Sequence, residues 1–135
     1  MEVVEQIETW LASGFAGHVG MKLTAARQDE VCGELIVAEH HCNGVGVLHG
    51  GVIMALADTL GAVGAFLNLP SGANTSTVES KTNFLRSAKL GESIYASSRL
   101  VNKGRTLMLW QTEVRDSRQR LLALVSQSQI ILTVG

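Results

Sequence analysis

The sequence predicts an α+β domain in which one long apolar helix lies against one large antiparallel sheet, and three observations carry that prediction. From Gly51 to Leu67 the pattern is helical and apolar almost all round, so the helix must be surrounded by protein. The remaining sixty-odd residues show no convincing helix but several strand-like runs, joined by turns too short for parallel crossovers. The length of 135 residues suits a single domain, and no internal repeat, linker or low-complexity tract divides it. Residues 1–135 are therefore read as one domain, with residues 1–17 as an N-terminal helix and lead-in.

In chain order, residues 2–12 place Val3, Ile7, Trp10 and Leu11 on one stripe, as an amphipathic helix that ends at Ser13-Gly14 and serves as a lid. Residues 20–38 alternate apolar and polar side chains on either side of Gln28-Asp29-Glu30, which predicts a hairpin. Residues 39–49 read as irregular. In the long helix Ile53, Leu56, Leu60, Val63 and Leu67 share a side, while Ala57, Gly61 and Ala65 recur every fourth residue and leave a face that a neighbouring backbone can approach closely. After the break at Asn68-Leu69-Pro70-Ser71-Gly72, strands are expected near 76–86, 93–102, 105–115 and 120–133. Their turns are explicit: Lys89-Leu90-Gly91-Glu92, Asn102-Lys103-Gly104 and Asp116-Ser117-Arg118-Gln119.

Composition narrows the function. With 11 basic and 12 acidic residues the net charge is −1, which supplies no general attraction for nucleic acid or anionic membrane. The charged fraction is only 17% against 46% hydrophobic, low for a domain with so much surface per unit volume, and this points to apolar surface buried against another copy. Cys32 and Cys42 make no disulfide framework, and the acidic opening Met1-Glu2-Val3-Val4-Glu5 is not a secretory signal, so a cytoplasmic setting is expected. Residues 50–69 approach the length of a membrane span, yet Asp58 sits near their middle and the flanks lack a Lys/Arg asymmetry, so they read as a buried helix.

Several site types are excluded by spacing. There is no G-x-S-x-G elbow and no P-loop. Gly44-Val45-Gly46 before Gly50 has the wrong spacing for a dinucleotide loop, and no further βαβ units follow. His40, His41, Cys42 and His49 lack metal-ligand spacing and read as surface or core residues. What remains is His49-Gly50-Gly51 leading into the helix that carries Asp58. The plain alternative makes the glycines a tight turn and His49 a helix cap. Asp58 is harder to explain so, because a carboxylate is rarely buried mid-helix without a partner. A general base or nucleophile in a water-poor pocket gives it a reason, and the two glycines would then offer N–H groups to an oxyanion at the positive helix end.

Gly50 and Asp58 are eight residues apart, roughly 12 Å along one helix. A single carbonyl cannot touch both. If both act on one substrate, two chains must contribute, with their helices antiparallel about a two-fold axis.

The run Asn43, His49-Gly50-Gly51, Leu56-Ala57-Asp58-Thr59 resembles the hotdog-fold acyl-CoA thioesterases, specifically the phenylacetate-pathway (PaaI-like) and 4-hydroxybenzoyl-CoA thioesterase superfamily. The likeness continues in order through Asn83-Phe84-Leu85-Arg86, Ala88-Lys89-Leu90-Gly91 and Lys103-Gly104-Arg105-Thr106, and covers roughly residues 18–132. It implies a sheet wrapped around the long helix, homodimers joined into a continuous sheet and often homotetramers, and hydrolysis of an acyl-CoA thioester with no metal or organic cofactor. By the same resemblance Asp58 is the catalytic carboxylate and the Gly50 N–H polarises the carbonyl. Asn43 and His49 shape that end of the site, and Thr77 helps place the attacking water. Arg86, Lys89, Lys103 and Arg105 are candidates for the CoA phosphates. Phe66 and Phe84 suit an aromatic acyl group, while the Leu-rich helix suits an aliphatic one equally. The other class of function open to the same fold is an acyl-CoA binding or sensing module without catalysis.

Overall fold

In the computed structural model, which describes residues 2–133, helices α1 (Glu2–Ala12) and α2 (Phe15–Val19) precede strands β1 (Lys22–Ala26) and β2 (Glu30–Ile36). A 3-10 turn at Glu39–His41 and a loop lead into the long helix α3 (Gly50–Leu67). Strands β3 (Asn74–Phe84), β4 (Ser93–Lys103), β5 (Leu107–Asp116) and β6 (Leu121–Leu132) follow. The six strands form one antiparallel sheet in the order β1-β2-β4-β5-β6-β3, with α3 packed against it, which is the hotdog arrangement. The predicted helix and four C-terminal strands are thus present, with ends displaced by at most two residues.

Alternation builds the core. Along β5, Met108, Trp110, Thr112 and Val114 are buried while their neighbours are not, with Asp116 also buried at the strand end, and β6 repeats the pattern with Val125, Gln127 and Gln129 after the buried pair Leu122 and Ala123. These inward rows meet Ile53, Leu56, Ala57, Leu60, Val63 and Ala65 of α3, so the stretch long and apolar enough for a bilayer is the core helix of this domain. Glycines permit the closest approaches. A Cβ on Gly64 would stand 2.4 Å from the Trp110 ring, and one on Gly61 would stand 2.3 Å from the Gln127 side chain. The small-residue face foreseen in the sequence therefore receives two bulky side chains of the sheet rather than a backbone.

Two details differ from expectation. The segment after Ser13-Gly14 forms the short α2, closed by Gly20 in the left-handed conformation (φ 88°), and periodicity is uninformative over five residues. In α1 it is Val4, Ile7 and Leu11 that pack on the core, whereas Val3 and Trp10 are exposed.

The edge strand β3 carries a bulge. Thr77 pairs with Gln129 and Glu79 with Ser128, so Val78 is the extra residue. Because Ser80 then pairs with Gln127, both Thr77 and Ser80 face inward although they are three residues apart.

Candidate active site

The start of α3 is fixed by the loop before it. The Asn43 Oδ1 accepts the N–H groups of Val45 (3.0 Å) and Val47 (3.3 Å), and its own N–H bonds the Val47 carbonyl. The loop is pinned outward as well, since the Leu48 N–H bonds Ala88 O and Val47 bridges Lys89. His41 ties this region to α2: its Nδ1 accepts the Ala38 N–H, so Nε2 carries the proton that bonds the Val19 carbonyl at 2.6 Å. His41 is a core histidine, His40 and His49 are exposed, and Cys32 and Cys42 are free and half-buried. Among the described residues no three His, Cys, Asp or Glu side chains gather as a metal site would require.

His49 is the N-cap of α3, its Nδ1 accepting the Gly51 N–H at 2.8 Å. The Gly51 N–H is therefore engaged within the chain. Nothing among the described residues accepts the Gly50 N–H, which lies in the first turn at the positive end of the helix. Gly50 lines a cleft of 360 Å³ with Leu48, Ile53, Phe84 and the segment from Leu85 to Ala88. A Cβ at position 50 would stand 2.9 Å from the Phe84 ring.

Asp58 lies two turns along and opens on a different cleft. Its half-buried side chain shares a 530 Å³ space with Trp10, Phe15, Val63, Phe66 and Thr75, among others. Trp10 and Phe66 meet there with ring centroids 5.5 Å apart, so α1 supplies part of the cleft wall. The Thr77 hydroxyl donates to Asp58 Oδ1 at 2.6 Å, so Thr77 stands beside this carboxyl. No residue lines both this cleft and that of Gly50. Within one chain the two groups are kept apart.

The four candidate cations, all exposed or nearly so, fall into two pairs. Arg86 lines the Gly50 cleft and Lys89 lies beside it through the Val47 bridge. Lys103 and Arg105 line a third space, of 540 Å³, at the far end of α3, which shares Leu69 with the Asp58 cleft.

Sequence reading missed Gln127 and Gln129. Both are fully buried on β6, and the Gln127 Nε2 reaches Asp58 Oδ1 at 3.3 Å and Gln129 Oε1 at 2.9 Å. The Thr77 hydroxyl also touches Gln129 Oε1. The signal was available: in Ser126-Gln127-Ser128-Gln129 both phases of the alternation are polar, so a polar row has to face the core.

A family model described as the thioesterase superfamily matches residues 45–123. Human acyl-coenzyme A thioesterase 13 is 34% identical over 94 residues, which are 70% of this chain and 66% of that protein. A crystal structure of a Haemophilus influenzae thioesterase superposes with a TM-score of 0.91 at 25% identity, covering 96% of this chain and 90% of the other. A Streptococcus mutans protein crystallised with acetyl-CoA gives a TM-score of 0.78 at 23% identity, covering 84% and 90%.

Proposed function

The chain belongs to the thioesterase superfamily, and from that membership we propose that it hydrolyses an acyl-CoA thioester to the free acid and CoA. The observation that carries this reading is the Asp58 carboxyl on the wall of an apolar cleft, held by Thr77 through one oxygen only. The name of the human relative, an acyl-coenzyme A thioesterase, supports CoA as the thiol.

In the proposed reaction Asp58 acts on the thioester carbon, either by taking a proton from a water that attacks it or by attacking directly. Charge builds on the carbonyl oxygen, and a Gly50 N–H at a helix N-terminus is suited to bind it. On the water route, collapse of the tetrahedral species breaks the C–S bond and the proton taken by Asp58 passes to the sulfur, so CoA leaves as its thiol. On the direct route collapse expels the CoA thiolate, which takes a proton from water, and leaves an acyl–Asp58 anhydride that a water then hydrolyses to the free acid. Because Gly50 and Asp58 open on separate clefts, the Gly50 is that of a second copy with its α3 antiparallel to the first. Phe66, which lines the Asp58 cleft, and Phe84, which lines the Gly50 cleft, then flank one composite pocket. Arg86, Lys89, Lys103 and Arg105 are the cations proposed for the CoA phosphates, with Asn43 and His49 holding the loop that presents Gly50.

A thiol-release screen across aromatic, short-chain and long-chain acyl-CoAs and acyl-carrier-protein esters tests the reading. Thiol is expected from at least one class, and Asp58→Asn is expected to lower kcat by about 10²- to 10⁴-fold with the thermal melt unchanged in shape. Saturable binding of CoA esters with no thiol release would favour the binding-module reading instead. Single turnover in labelled water separates the two roles of Asp58, since label enters its carboxyl only after direct attack.

A further inference from the structure

We propose that Gln127 and Gln129 are positioning residues of the Asp58 site, holding Oδ1 of the carboxyl so that Oδ2 is the oxygen presented to the substrate. The inference rests on the thioesterase reading for what the oxygen does, but its geometry stands independently. Two donors converge on Oδ1, the Thr77 hydroxyl at 2.6 Å and the Gln127 Nε2 at 3.3 Å, and none among the described residues reaches Oδ2. A carboxyl gripped by one oxygen has a fixed plane, and its other oxygen has a fixed direction.

A merely structural role does not account for the pair. Gln127 and Gln129 are 1% and 0% exposed on an inward row whose neighbours are Val125 and Ile131, so an aliphatic side chain fits the same surroundings. Instead the chain buries two amides and leaves Gln127 Oε1 without a hydrogen-bond partner, an arrangement that costs stability. It also gives up a side chain on α3, because only a glycine at position 61 leaves room for the Gln127 amide. Both N–H groups of that amide are used: one faces Gln129 Oε1, and the other faces Asp58 Oδ1, with the Asp58 carbonyl at 3.5 Å. The orientation of the amide is set by these acceptors.

Gln129 acts through Thr77. The Thr77 hydroxyl has one proton and two acceptors within reach, Asp58 Oδ1 and Gln129 Oε1. One proton cannot serve both acceptors fully, so Gln129 Oε1 is a second acceptor that limits how the hydroxyl turns. The Gln129 Nε2 is itself tied to Thr75 Oγ1 at 3.1 Å, so this second acceptor does not drift.

The test uses the full-length protein with benzoyl-CoA and hexanoyl-CoA as probes, and compares Gln127→Met with Gly61→Ala. The first removes the donor at constant length, and the second displaces an unaltered amide. Each is expected to lower kcat about 10- to 100-fold while KM stays within about twofold. In protein labelled at the Asp carboxyl carbon, the Asp58 resonance is expected to move in both. An unmoved resonance with kcat within about threefold of wild type overturns the positioning role. If Gln127→Met does not fold, Gln127→Asn withdraws the amide by one methylene and is read in the same way. Full activity in Asp58→Asn would overturn the thioesterase role of Asp58, and the resonance would still decide whether Gln127 holds that carboxyl.

Discussion

At the scale of single residues, Asp58 is legible in the sequence because it is the one charge in an apolar helix, and such a charge needs a partner. The partner is not legible from pattern alone, since Thr77 lies on a strand that reaches α3 only after folding. Gln127 and Gln129 were legible as a polar inward row, but the contact of Gln127 with Asp58 was not, because nothing in a linear sequence measures the 3.3 Å between Gln127 and that carboxyl. His49 shows the opposite case: the plain reading of a helix cap is what the structure contains. Gly64 illustrates how tightly the core is specified. Trp110, which is 0% exposed, lies against the helix where a Cβ on residue 64 would intrude at 2.4 Å. Gly64→Ala is therefore expected to destabilise by about 2 kcal/mol despite the better helix propensity of alanine, as read from denaturant or thermal unfolding.

At the scale of elements, α3 and the meander were legible because their periods are long and their turns are marked by Gly, Asn and Asp, while α2 was not, being shorter than two helical turns. The β5–β6 turn shows what such a marker does. Burial pushes the Asp116 carboxyl up, but the N–H and guanidinium of Arg120 and the N–H of Arg118 outweigh it and hold the group below its usual range. A carboxylate lowered on folding adds stability above its unfolded value of about 3.9, and that stability is lost as pH falls through the lower folded value. Asp116→Asn should thus lower Tm at pH 7, with the deficit shrinking as the pH falls below about 4. A deficit independent of pH would assign the loss to turn geometry instead.

At the scale of the whole molecule, the low charge of the sequence pointed to association, and the separation of the Gly50 and Asp58 clefts gives association a chemical reason under the proposed function. Gly50→Pro is a suitable probe, because proline is tolerated in the first helical turn and lacks the N–H in question, although the exposed Phe84 ring must move aside. Neither Gly50→Pro nor Asp58→Asn alone is expected to turn over substrate. Co-expressed, they are expected to regain a measurable fraction of wild-type activity, through pairs in which one site has both parts. No recovery from well-folded mixed pairs would rule out sharing. Sheet register also bears on the length of the chain. In most of this sheet, losing one residue would turn every later side chain in its strand to the opposite face. The Val78 bulge is an exception, for without Val78 the ladder closes with Thr77 still opposite Gln129 and Ser80 still opposite Gln127. The strand beside Asp58 thus holds a spare residue, a place where a one-codon deletion leaves the facing of the site's side chains as it was.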